Sequence, residues 1–204
     1  MKLIREACVE TKAQIDNAIK NKAEQIELCS RLDLGGYTPS DELIQYSLDN
    51  SLNTIMMIRN RPDYTTSWWN TFKLKRIIKK YAKTKIQGFV FGFLKNNEID
   101  KKTVKSLLKV TGGKETIFHM AFDELQDPKA GIDTLVELGI TRILTKGGKT
   151  PAMNNLEQLK ALNEYAKGRI QLIVGGSVAE ENYKAIANAT KIQRYHGRKL
   201  AITL

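Results

Sequence analysis

Short apolar runs alternate with amphipathic helical patterns along the whole chain. The runs fall at about residues 3–9, 25–29, 53–58, 86–92, 115–119, 141–145, 169–174 and 192–196, and each reads as a buried strand. Between them the period lengthens. Apolar residues recur near i, i+3 and i+4, as at Ile15, Ala18 and Ile19, at Leu74, Ile77, Ile78 and Tyr81, and at Leu156, Leu159 and Leu162. Each such stripe predicts a helix that buries one face against a sheet.

The boundaries carry matching signals. Thr38-Pro39, Asp127-Pro128 and Thr150-Pro151 each place a capping residue before a proline, the pattern of a helix start. Gly139 and Gly168 fall where helices should end in a left-handed turn, just before ITRIL and RIQLIV. Strand and helix in regular alternation require parallel strands joined by right-handed crossovers. About eight of them favour a closed (β/α)8 TIM-type barrel, with an open flavodoxin-like sheet as the alternative. In either fold, a ligand site belongs at the carboxyl ends of the strands.

The 204 residues, 42% hydrophobic and 27% charged, suit one domain spanning 1–204. Barrels of this kind usually take about 250 residues. KLAITL follows closely on the eighth strand, so the last outer helix is expected to be missing. Its absence would leave apolar barrel surface for a second copy to cover, hence an expected homo-oligomer. The net charge of +11 is spread over segments such as KLKRIIKKYAK and KKTVK rather than gathered in one stripe. That pattern reads as solvated helix faces and argues against nucleic acid as a partner. No apolar run approaches the roughly 20 residues of a membrane span, and MKLIREACVE lacks a signal-peptide core. The expectation is a cytoplasmic protein whose two cysteines, Cys8 and Cys29, are reduced thiols.

Polar residues inside or just beyond the strands carry the chemistry. The period of two puts Glu6, Cys8 and Glu10 on one face of the first strand, and Glu27 and Cys29 on one face of the second. Arg59 and Arg61 share a face at the end of the third. Both histidines, His119 and His196, stand at strand ends, with Asp123 soon after His119. Buried carboxylates are far less costly when paired. An inward arrangement in which Glu6 and Glu27 face Arg59 is therefore expected, either as a structural ion-pair layer or as a site. A pair of thiolates suits a soft monovalent ion such as Cu(I). The competing reading is that Cys8 and Cys29 are small core hydrophobes. Glycine pairs after strands six and seven, Gly147-Gly148 and Gly175-Gly176-Ser177, offer backbone N–H groups to a phosphate, with Lys146 adding charge. They are also what tight turns require. No organic cofactor is indicated.

The segments ACVET, QIELCSRLDLGGYTPS, MMIRNRP, GFVFGFL, TIFHMAFDELQDP, RILTKGG, IVGGSV and YHG follow one another in an order that resembles the CutC-type copper homeostasis proteins, from about residue 2 to 198. The resemblance implies a (β/α)-barrel, a cytoplasmic location and a role in copper homeostasis, with Cys8 and Cys29 matching the family's proposed Cu(I) ligands. Glu6, Glu27, Arg59, His119, Asp123 and His196 also match. Four positions depart from the family's usual residues: Met120 stands for an arginine, Asn60 for a proline, Lys146 for a serine and Ser177 for a glycine. Two functions follow as expectations. The first is Cu(I) binding by Cys8 and Cys29. The second is an enzyme of proton-transfer or lyase type acting on a small anionic molecule, with Arg59 as clamp, His119 or Glu27 as acid or base, and Asp123 orienting.

Overall fold

The computed structural model describes residues 2–50 and 52–202. Eight parallel strands close into a barrel: β1 (Ile4–Val9), β2 (Gln25–Leu28), β3 (Thr54–Met57), β4 (Gly88–Phe91), β7 (Glu115–Phe118), β8 (Arg142–Thr145), β9 (Gln171–Val174) and β10 (Arg194–Gly197), which pairs back onto β1. The helices on the outside are α1 (Lys12–Lys20), α2 (Asp41–Asp49), α3 (Trp68–Tyr81), α4 (Lys101–Leu108), α5 (Pro128–Leu138), α6 (Leu156–Ala166) and α7 (Tyr183–Thr190). The expected barrel is therefore observed, and none of the described residues after β10 forms an eighth helix.

The period of two sorts side chains between two compartments. Ile55, Met57, Val90, Ile117, Leu144 and Ile173 gather with Cys8 and Cys29 inside the barrel. Their sequence neighbours, among them Met56, Phe89, Phe118, Ile143 and Val174, face the helices and meet Leu74, Ile132 and Leu159 there. Strand residues buried on both faces explain the nearly continuous apolar runs. Only β1, β2 and β10, which are neighbours in the barrel, place acidic or imidazole side chains at mid-height inside it: Glu6, Glu27 and His196.

Several boundary expectations need correction. Asp127 does cap α5, accepting from the N–H groups of Lys129 and Ala130, with Pro128 in the first turn. Thr38 caps nothing, because its hydroxyl accepts from Arg59 N at 2.9 Å and donates to Arg59 O at 3.0 Å. Ser40 caps α2 instead. Thr150 bonds the Asn155 side chain, and α6 begins only after a short turn at Ala152–Asn154. Gly139 ends α5 at φ +82°, as expected, whereas α6 ends on Lys167, one residue before Gly168. A two-stranded hairpin, β5 (Leu94–Lys95) and β6 (Glu98–Ile99), was not foreseen. Asn96 and Asn97 turn it with φ of +53° and +61°, values that asparagine tolerates better than most residues.

Beside β10 and β1, the outward apolar side chains of the described residues are covered. Ala7, Tyr195, Leu200 and Ala201 are all buried. Arg5 bridges Glu24 and Glu180, and Glu180 also accepts from the Ala201 N–H. The chain's own last described residues thus cover part of the outer surface beside β1 and β10.

Candidate metal centre

Polar groups occur at both ends of the barrel, and the two ends differ in size: a cavity of about 250 Å³ at the amino ends and a far larger one at the carboxyl ends. At the amino ends of the strands, Arg142 is buried and donates to Gln171, Gln25 and Glu115, while Arg194 reaches the same two glutamines. These bonds tie the strands together beneath the smaller cavity. At the carboxyl ends lies a cavity of about 930 Å³, lined among others by Cys8, Glu27, Arg59, Tyr64, His119 and His196.

One wall of this cavity is a cluster built by the three neighbouring strands. Register places Cys8 opposite Glu27 and Glu6 opposite His196. One ligand atom each from Cys8, Glu27 and His196 lies within 4.8 Å of the others. His196 Nδ1 is 2.7 Å from Glu6 Oε1 and 3.7 Å from Glu27 Oε2. Cys29 Sγ donates to Glu27 Oε1 at 3.2 Å and also lies in hydrogen-bond contact with Cys8. Its single proton therefore serves two acceptors.

The cysteines are not equivalent. The hydrogen bond from Cys29, reinforced by positive His196 and outweighing burial, pulls the Cys8 thiol down to about 5. The same contact, together with burial, pushes Cys29 well above its usual range. Cys8 lines the cavity, whereas Cys29 lies beneath Gly36, where a Cβ would approach its sulfur to 3.2 Å. Burial lifts Glu27 to about 8, opposed by His196, and Glu27 Oε2 has no hydrogen-bond partner. His196 loses to burial but gains more from Glu27 and Cys8, so it rises well above its ordinary value.

The carboxylates therefore face His196 rather than Arg59, contrary to the expectation. Arg59 sits on another part of the wall, where its guanidinium bonds backbone carbonyls of Gly35, Gly36 and Pro62. His119 accepts from the Ala121 N–H through Nδ1; burial and the charge of Arg59 hold its pKa down to about 3. Asp123 does not bond His119. It accepts from Thr145 Oγ1 at 2.5 Å and from Lys146 N at 3.1 Å, so it occupies part of the backbone that a phosphate was expected to use. Gly176 and Ser177 line the cavity, and Gly147, Gly148 and Gly175 do not. Ser177 holds φ +62°, the conformation for which glycine is the usual choice. Glu10 turns to the Leu32 N–H, and Arg61 pairs with Asp63 at the surface.

Sequence reasoning overlooked Tyr64 and Met57, which line the same cavity, and singled out Met120, which also lines it, only as a departure from the family pattern. A Cβ at Gly36 would lie 3.5 Å from the Met57 methyl as well as near Cys29. One at Gly175 would crowd the Met120 methyl and lie 3.6 Å from the His196 ring. Both thioethers thus flank the cluster. Met57 had no sequence signal beyond its inward parity, and Tyr64 comes from a loop.

The CutC family model matches residues 3–201, nearly the whole chain. The chain belongs to the CutC family. A CutC family protein of Enterococcus faecalis is 34% identical over 210 residues, covering 97% of this chain and 100% of the relative. The human copper homeostasis protein cutC homolog is 34% identical over 196 residues, covering 95% of this chain and 72% of its own length. The crystal structure of CutC from Streptococcus agalactiae superposes with a TM-score of 0.91 at 35% identity, covering 97% of this chain and 99% of that one. Likeness extends to other barrels at the level of fold alone. An N-acetylneuraminate lyase of Proteus mirabilis has a TM-score of 0.66 at 9% identity, covering 96% of this chain and 70% of the lyase. Within this CutC chain no described helix is long and apolar enough to cross a membrane.

Proposed function

We propose that this CutC-family chain is a copper homeostasis protein that binds Cu(I) at the mouth of its barrel, with Cys8 as the principal ligand. The observation that carries the reading is the Cys8 thiol, pulled down to about 5 and gathered with His196 and Glu27 within 4.8 Å. A thiolate is the ligand a soft monovalent ion prefers, and Cys29 is near enough to Cys8 to add a second sulfur. Glu6 on His196 Nδ1 fixes the imidazole, as a carboxylate does behind many metal-binding histidines. The thioethers of Met57 and Met120 add soft, polarisable surface. Reduced thiols suit the cytoplasm.

Ligation by Cys29 releases its proton, so Cu(I) affinity should rise with pH. The ion is cargo, reaching Cys8 first because Cys8 faces the cavity. Anaerobic Cu(I) titration of the reduced protein against a competing chelator tests the reading. Tight stoichiometric binding is expected, weakened most by Cys8→Ser and abolished in the double variant with Cys29→Ser. Affinity unchanged in the double variant would overturn it.

A further inference from the structure

Arg59 is a buried guanidinium with no counter-ion. It is 6% exposed, and among the described residues it forms no salt bridge. Nη1 donates to Gly35 O at 3.0 Å, with Leu34 O and Gly36 O each at 3.4 Å, and Nη2 donates to Pro62 O. These carbonyls hold the group in place without neutralising it. Nε–H is left with no partner. A buried charge stripped of water is costly unless an opposite charge meets it.

A second orphan lies beside it. Since His119 Nδ1 accepts from the Ala121 N–H at 3.2 Å, the proton of the neutral ring resides on Nε2, and Nε2 has no partner either. The Tyr64 ring centroid lies 5.1 Å from Arg59 Cζ and 5.2 Å from the His119 ring centroid. Arg59, Tyr64 and His119 all line the cavity. The backbone is shaped to admit both groups. A Cβ at Gly92 would stand 2.6 Å from His119 Nδ1, and one at Gly35 would stand 3.0 Å from Arg59 Nη1. Two cavity-lining side chains, one of them cationic, thus each hold a fixed buried donor from which nothing among the described residues accepts.

We propose that this wall binds the terminal oxyanion, a carboxylate or a phosphate, of a small molecule through Arg59 Nε–H and His119 Nε2–H. The site stands apart from the thiol cluster, being carried by the ends of β3 and β7 rather than by β1, β2 and β10, and it requires no metal. His119 acts in it as a hydrogen-bond donor. It is not the acid or base of a reaction, because its one acceptor nitrogen is already engaged by backbone. Arg198 and Lys199 at the rim of the same cavity draw anions toward it.

The test is a titration of the metal-free, reduced, full-length chain with inorganic phosphate and, separately, with succinate, followed by ¹⁵N NMR of the arginine Nε–H and histidine Nε2 resonances. At least one probe should move the Arg59 and His119 signals together and saturably, and the tighter probe identifies the oxyanion. His119→Phe should weaken that binding by at least about tenfold, the loss of one hydrogen bond to a charged group. Gly92→Ala, which displaces the ring while keeping both donors, should do the same and guards against misfolding of a single variant. Saturation that leaves the Arg59 and His119 signals unmoved, an affinity indifferent to both variants, or no saturable shift with either probe would each overturn the proposal.

Discussion

His196 Nδ1 and Glu6 Oε1 lie 2.7 Å apart although 190 residues separate them in the chain. They face each other in register where β10 closes onto β1, so the bond spans the seam of the barrel. Removing His196 leaves the Glu6 carboxylate buried without its positive partner. His196→Ala should therefore destabilise the fold by about 3–5 kcal/mol, the range for breaking a buried ion pair. Urea unfolding at neutral pH measures it, and a loss well below 1 kcal/mol would show that the seam does not depend on this pair.

Cys8 should react as a thiolate. With its thiol pulled down to about 5, alkylation by iodoacetamide should already be near its plateau rate at pH 6.5, whereas an ordinary thiol would gain rate up to about pH 9. Cys29, buried and raised, should remain unlabelled in the folded protein. Peptide mass spectrometry separates the two sites. Equal labelling of both, or a Cys8 rate still climbing above pH 8, would contradict the assignment.

His119 imposes a pH dependence on stability. Its folded-state value of about 3 lies below the unfolded value of about 6.5, so the unfolded chain binds the extra proton between these limits. The stabilisation is complete above pH 6.5 and is lost as pH falls toward 3. His119→Gln should flatten the stability profile between pH 6.5 and 4 relative to the parent. Parallel profiles for the two proteins would exclude the effect.

Glu27 acts in the opposite sense. Burial raises its carboxyl to about 8, so the folded protein keeps a proton that the unfolded chain loses above about pH 4.3. Its contribution is full below that pH and declines as pH rises to 8. Glu27→Gln, which keeps the neutral shape, should gain stability relative to the parent as pH rises from 5 to 8. An unchanging difference between them would place the proton elsewhere in the cluster.

Arg142 offers a contrast between the two ends of the barrel. It is buried at the floor and bonded to Glu115, Gln25 and Gln171. Arg142→Ala should cost about 1–3 kcal/mol of stability, because half-exposed Glu115 regains water when its partner is lost, while leaving Cu(I) affinity of the folded fraction unchanged. Chemical denaturation and the chelator competition, run on one preparation, check both halves.

The barrel could be read from the sequence because alternation of two periods is a local property. Inward parity also put Glu6, Cys8, Glu27, Cys29 and Arg59 on the correct faces. Pairing across the barrel is not local, and that is where the reading failed. Arg59 was matched with carboxylates by charge alone, yet the loop that carries Gly35 and Gly36 covers Arg59 with carbonyls instead. His196 is the actual partner because β10 lies beside β1, a neighbour relation that only closure creates. Thr38 has the sequence of a helix cap, yet its hydroxyl serves the Arg59 backbone just beyond β3, a contact that no local signal announces. Tyr64 lay in a stretch with no periodicity at all.

Closure of the barrel by its first and last strands also has a temporal side. Cys8 and Glu27 precede His196 by most of the barrel's strands and helices, so they are synthesised well before it. Until β10 is available, β1 lacks one neighbour, and Arg5 lacks the Glu180 contact that seals the gap beside it. A nascent or truncated chain can therefore present a cysteine but not the three-residue cluster. The cluster therefore assembles only once β10 has been made and has closed onto β1, which makes its formation a report on whether the barrel has folded.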